Sequence, residues 1–98
     1  MDKKFTITMR KGFHMTFSNG YTASVQWGYG NYCDNHYSRD FMGIADVTSD
    51  TAEVAVIVGN RMIDANKFVP EDARSRDIVC GFLTPEQVAE FLYNVSKA

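Results

Sequence analysis

Three consecutive segments near the start of the chain alternate between apolar and polar residues, and this pattern restricts the fold more than any other feature. The segments are residues 5–9, 13–17 and 21–27. A period of two places alternate side chains on opposite faces of a β-strand. Asn19-Gly20, between the second and third segments, is typical of a tight hairpin because both residues tolerate positive φ. The pattern predicts three half-buried antiparallel strands that form a meander.

The middle of the chain contains further strand-forming segments. Residues 52–58 are rich in β-branched side chains and predict a central strand, and residues 61–64 predict a short return strand after a Gly-Asn turn. Residues 78–83 are mostly apolar and predict another strand. The charged stretch before it, residues 70–77, is expected to be exposed.

The last part of the sequence is typical of an amphipathic helix. Thr84, Pro85 and Gln87 match a capping box with proline at the first helical position. Apolar residues then recur at helical spacing, at Val88, Phe91, Leu92 and Val95. A helix this short is marginal alone, so it must dock on the sheet. We therefore predict one α+β domain over residues 1–98: an antiparallel β-meander sheet of about five to six strands, packed against one C-terminal amphipathic helix.

Composition excludes several functional classes. The net charge of −2 argues against a generic nucleic-acid binder, which needs clustered cations, and against a strongly acidic DNA mimic. The opening residues do not resemble a signal peptide, and no apolar run approaches the roughly 20 residues of a membrane helix. With only two cysteines in the chain, we expect a cytoplasmic protein with reduced thiols.

The alternation stops at Trp27, and residues 28–50 predict a long loop. Residues 28–40 are rich in Gly, Asn, Asp and Ser, whereas residues 41–45 are apolar and are expected to pack the far end of the loop on the body. Long loops in small domains are often functional, and Trp and Tyr frequently anchor interfaces. The predicted binding residues are Trp27, Tyr29, Asn31, Tyr32, Asn35, His36 and Tyr37. Alternatively, Trp27 caps the core and the tyrosines cover it.

Cys33 and His36 lie three positions apart in this loop and could carry chemistry. Such a pair can form half of a zinc site, or a nucleophile with its base. Zinc needs four ligands, and the remaining candidates, His14 and Cys80, do not form a matching pair. A catalytic pair needs a third, orienting group. We predict no metal, no cofactor and no enzymatic activity, and keep a small enzyme using Cys33 and His36 as an alternative.

Three blocks of the sequence carry a resemblance. The block FSNGYTxSVQxGxGNYCxN covers residues 17–35, EVAV follows at 53–56, and GFLTPEQVAE closes the pattern at 81–90. Together they resemble a family of small proteins of tailed bacteriophages and prophages. The resemblance implies a phage origin and carries no catalytic residues.

This resemblance and the aromatic loop lead to three functional hypotheses. The first is a phage accessory protein in the bacterial cytoplasm that binds and modulates or inhibits a host or defence-system protein. The second is a small-molecule or nucleotide-binding module that sequesters a ligand beside Tyr29, Asn31 and Tyr32. The third is the thiol enzyme. We expect no direct contact with nucleic acid or membrane, and a homodimer stays open. A flat aromatic patch would favour the first hypothesis, and a pocket lined by the loop would favour the second.

Overall fold

The computed structural model describes residues 3–9, 11–37 and 47–98. Within these ranges one antiparallel sheet is followed by one C-terminal α-helix, which confirms the predicted α+β class. The elements are β1 Lys4–Thr8, β2 Gly12–Thr16, β3 Tyr21–Gln26, β4 Ala52–Val58, β5 Arg61–Ile63, β6 Cys80–Leu83 and α1 Pro85–Ser96. The apolar segment 41–45 lies outside the described residues.

The first five strands follow chain order across the sheet, as a meander requires. β5 pairs with the second half of β4 and β6 with the first half, so two short strands share one edge of the central strand. The connection between them contains 3₁₀ turns at Ala65–Lys67 and Glu71–Ala73. The stretch 70–77 is mostly exposed, as predicted, but Ala73 is buried.

The core lies between the sheet and α1. Val54 and Val56 of β4 point towards the helix, and Phe91 and Val95 of α1 are fully buried against them. The predicted capping box is present: the Thr84 side chain accepts the Gln87 N–H, and the Gln87 side chain accepts the Thr84 N–H at 2.9 Å. None of the helices within the described residues combines the length and the apolar character needed to cross a membrane.

β1 departs from the predicted half-buried strand. Its position is correct within one residue, but Phe5 is 77% exposed and Ile7 is 84% exposed. Met9, just beyond the strand, is also exposed. The helix packs mainly on β3, β4 and β6, so it leaves the end of the sheet uncovered. The prediction that this strand is half-buried was therefore wrong. The alternation shows which side chains lie on the same face of the strand, but it does not show whether another element packs on that face.

The hairpin between β2 and β3 forms where it was predicted, with a different geometry. Of the pair Asn19-Gly20 only the glycine has positive φ, at +89°. Phe17 N–H donates to Tyr21 O at 2.9 Å, which closes a three-residue loop. The Asn19 Nδ2 instead donates to Val95 O at 2.9 Å. The hairpin thereby adds a second hydrogen bond to a carbonyl in the last turn of α1, which also accepts the Ala98 N–H at 3.2 Å.

Candidate functional site

The first part of the predicted loop, residues 28–37, is a compact turn held by its own asparagines. Asn31 Oδ1 accepts the Gly28 N–H at 3.0 Å, and Asn35 Nδ2 donates to the backbone oxygens of Trp27 and Thr48, both at 2.8 Å. The Asn31 Oδ1 and the Asn35 Nδ2, predicted as binding groups, are therefore bonded to the backbone of the loop. They position the neighbouring side chains.

A carboxylate of the central strand fixes the same turn to the sheet. Glu53 Oε2 accepts the Tyr32 N–H at 3.2 Å, and Glu53 Oε1 accepts Asn31 Nδ2 at 3.3 Å. Glu53 is on the face of β4 opposite α1, as the alternation with buried Val54 requires. The turn is therefore bonded to a side chain of that face.

A β-bulge in β6 supplies the second attachment. Ala52 pairs with Leu83 and Val54 with Cys80, so two residues of β6 lie opposite one residue of β4. Phe82, one of the two, has a φ of +60°, which is uncommon for a bulky residue. The bulge directs the Phe82 N–H to Tyr32 O at 2.9 Å. The strained backbone of Phe82 is therefore also the point at which β6 bonds to the loop.

Aromatic rings form a row on the outside of the turn. The Tyr32 and His36 rings stack with centroids 5.5 Å apart and planes at 6°, and Tyr37 meets His36 edge-on at 4.6 Å. His36 Nδ1 lies 2.8 Å from Asn31 O; because a carbonyl only accepts, Nδ1 carries the proton of this hydrogen bond. Tyr32 is 48% exposed and Tyr37 is 87% exposed. We call Tyr32, His36, Tyr37 and the exposed Phe82 the aromatic ledge.

A groove of about 460 Å³ opens beside the ledge, between Tyr32, Phe82 and the segment that leads into β6. Arg76 and Asp77 lie along it and offer one charge of each sign. The sequence pattern predicts a regular strand at Phe82 and an exposed stretch at residues 70–77, and it does not indicate a groove between them. Gly81 was the available signal, because an isolated glycine within a strand pattern often marks a bulge.

Trp27 lies at the base of the loop and packs with the core. Its ring meets Phe13 edge-on at 6.1 Å, and Nε1–H donates to Val47 O at 2.9 Å. It also lines a separate apolar cavity of about 340 Å³, together with Val88 and Leu92 of α1. Trp27 thus holds the loop to the sheet, whereas Tyr29 lies at the surface of the turn.

Cys33, which the sequence pairs with His36 as a candidate for chemistry, is buried beneath the ledge. Its Sγ–H donates to Gly28 O at 3.7 Å. Burial raises the pKa of the Cys33 thiol, which disfavours the reactive thiolate at neutral pH. Within residues 3–9, 11–37 and 47–98, no group of three or more His, Cys, Asp or Glu side chains is placed to hold a metal ion.

No family model, curated protein or solved structure matches the chain. The resemblance to small phage proteins therefore stays a prediction.

Proposed function

We propose that this protein is a phage accessory protein that acts in the cytoplasm of the bacterial host and binds a host or defence-system protein through the aromatic ledge. The observation that carries the proposal is a row of rings on a turn that is fixed by hydrogen bonds, in which half-buried His36 contacts the exposed Tyr32 and Tyr37. Rings that are already ordered lose little conformational entropy when a partner covers them. Aromatic anchors of this kind dominate the energy of many interfaces.

The surroundings of the ledge support a protein partner. The groove beside Tyr32 and Phe82 is open, so a side chain of a partner fits into it while the rings cover a flat surface around it. Arg76 and Asp77 provide polar contacts at the margin, where interfaces usually keep their charges. Binding of this type modulates a target by covering its surface and needs no chemical step.

Sequestration of a small ligand is the second candidate. The groove volume of about 460 Å³ falls within the range of roughly 300–1,000 Å³ for small-molecule sites. However, Tyr32 is the loop residue that lines the groove, and Tyr37 stays outside it. A protein partner uses both rings, and for this reason we place the protein-binding function first.

Truncation of two rings tests the proposal. The Tyr32→Ala/Tyr37→Ala variant retains the backbone contacts of residue 32, so we expect a stable fold and at least about 2 kcal/mol of lost binding, or roughly 30-fold in Kd. The measurement is quantitative pull-down from bacterial lysate, followed by titration of the captured protein. Tyr93→Ala is the matched control, since Tyr93 is 63% exposed on α1, away from the ledge.

Two outcomes separate the candidates. Wild-type affinity in the folded double variant would contradict binding through the ledge. Native mass spectrometry that finds a small molecule and no captured protein would favour sequestration, and Arg76→Ala should then release the ligand.

A further inference from the structure

β1 lies at the end of the sheet, away from the β6 edge that carries the ledge. In the part of the chain that the structure describes, β1 pairs with β2 and no other strand occupies its outer edge. Edge strands present unpaired backbone groups, and proteins usually protect them with charges, proline or bulges. Between Phe5 and Thr8, β1 has no charge, no proline and no register shift.

The hydrogen-bond pattern identifies the backbone groups that face outwards. Trp27 N–H donates to Lys11 O, so the odd-numbered residues along β2 bond to β3. Because hydrogen bonds alternate along an antiparallel strand, the even-numbered residues of β2 bond to β1. One of these residues, His14, lies opposite Thr6. The N–H and C=O groups of Phe5 and Ile7 therefore point away from the sheet.

The side chains of the same two residues form an apolar strip beside this edge. Phe5 lies opposite Met15 and Ile7 opposite Phe13, on the face that α1 covers further along the sheet. Both side chains are largely exposed. Unpaired backbone and uncovered apolar side chains thus coincide on one short strand.

We propose that β1 pairs antiparallel with β1 of a second copy of this chain, with Thr6 of one copy opposite Thr6 of the other. In this register Phe5 of each copy faces Ile7 of the other, and their outward backbone groups bond to each other. The two strips then join into one apolar strip across the junction. The dimer extends each sheet without disturbing a bond of the monomer, and it is independent of the aromatic ledge.

Lysines select this orientation. Lys3 precedes β1, and Lys4 is its first residue. In the antiparallel register Lys4 faces Thr8 of the other copy. The Lys4 side chains of the two copies are then about 14 Å apart along the strands, beyond the Debye length of about 8 Å. A parallel arrangement would place like charges on neighbouring strands, about 5 Å apart. Lys11 does not oppose either arrangement, because its side chain packs over Gly28.

The interface closes at two copies, because each copy uses its single β1 edge once. It comprises a five-residue strand and two apolar side chains from each copy. Such an interface is at or below the small end of specific interfaces, under roughly 1,200 Å² in total. We therefore expect a reversible dimer that forms at micromolar to millimolar concentration.

Sedimentation equilibrium over a concentration series tests the dimer. Wild type should approach twice the 11.1 kDa of the chain, and Thr6→Lys should weaken association at least tenfold because it places two cations opposite each other at the centre. Asn60→Lys adds the same charge in the exposed turn after β4 and should dimerise like wild type. Wild type that stays monomeric up to about 1 mM, or a Thr6→Lys variant that dimerises normally, would overturn the proposal.

Two further measurements test the register. An equimolar mixture of Thr6→Lys and Thr6→Glu should form the heterodimer in native mass spectrometry in preference to either homodimer. In wild type, hydrogen exchange at the Phe5 and Ile7 amides should slow as concentration rises, whereas the Thr6 amide is already bonded and should not change. Absence of the heterodimer, or equal behaviour of the three amides, would overturn the register.

Discussion

Gly81 allows the loop that carries the aromatic ledge to pack directly on β6. A Cβ at this position would lie 2.5 Å from Tyr32 Cβ and 2.9 Å from Tyr32 O, both closer than real contacts allow. We expect Gly81→Ala to destabilise the protein by about 1–3 kcal/mol in urea unfolding, the usual effect of overpacking. The same change should weaken binding of the proposed partner, because it displaces Tyr32.

Gly59 supplies the control for this prediction. Its φ is +62°, and a Cβ there would meet nothing within 4 Å. Asparagine tolerates this left-handed conformation, so Gly59→Asn should change stability by no more than about 0.5 kcal/mol. Equal effects of the two substitutions would show that Tyr32 moves away from Gly81 at no cost.

His14 predicts a particular dependence of stability on pH. It lies on the sheet face opposite α1, between Thr6 and Ser24, and burial lowers its pKa below the ordinary value of about 6.5. The unfolded chain therefore binds the proton at higher pH than the folded chain, and protonation favours unfolding. Above about pH 6.5 His14 should not reduce the free energy of unfolding. As the pH decreases from there towards the folded-state pKa of His14, the free energy of unfolding should fall.

A substitution isolates this contribution. His14→Gln keeps a polar side chain that does not titrate, so thermal unfolding between about pH 6.5 and 5 should depend less on pH than in wild type. Identical slopes of Tm against pH in the two proteins would exclude His14 as the source.

At the scale of elements, docking of α1 holds the fold together. Phe91 is fully buried at the centre of the core, and Phe91→Ala should cost about 3–5 kcal/mol in urea unfolding. Tyr93 lies two residues further on and faces solvent, so Tyr93→Ala should change stability by about 0.5 kcal/mol or less. A loss under about 1 kcal/mol for Phe91→Ala would contradict the docked helix.

Elements that depend on local chemistry could be predicted from the sequence. The bounds of β4 agree with the prediction, and the capping box at Thr84 forms as expected. β6 is shorter than predicted, because Ile78 remains exposed and the strand begins at Cys80. Neither the bulge in β6 nor the exposure of β1 could be predicted, since both depend on which surfaces meet in three dimensions.

The candidate site was predictable in composition and not in arrangement. Tyr32, His36 and Tyr37 were identified from their residue types, and the structure places them in one row. The inward roles of Asn31 and Asn35 depend on backbone partners across the turn, which a linear pattern does not indicate. Phe82 belongs to the ledge because of the bulge in β6, which the pattern of apolar residues in 78–83 does not indicate.

At the scale of the whole molecule, one buried cluster connects the sheet, the helix and the base of the loop. Residues of β3, β4, β6 and α1 share this cluster, and Trp27 packs on its margin. The loop is attached to the same body through Glu53 and through the Phe82 N–H. Because β3, β4, β6, α1 and the base of the loop share one core, we expect them to unfold together, without a stable partly folded state.

We therefore expect Trp27 fluorescence and far-ultraviolet circular dichroism to give the same midpoint and slope in urea. The first signal reports on the loop base, where Trp27 contacts Phe13, and the second reports on α1 and the strands. If the loop formed a separate cooperative unit, fluorescence would change at lower urea than circular dichroism. In that case Tyr32→Ala should lower the fluorescence midpoint alone. Coincident curves in wild type would show that the rings of the ledge are held by the stability of the entire fold, which is the condition a preorganised binding surface requires.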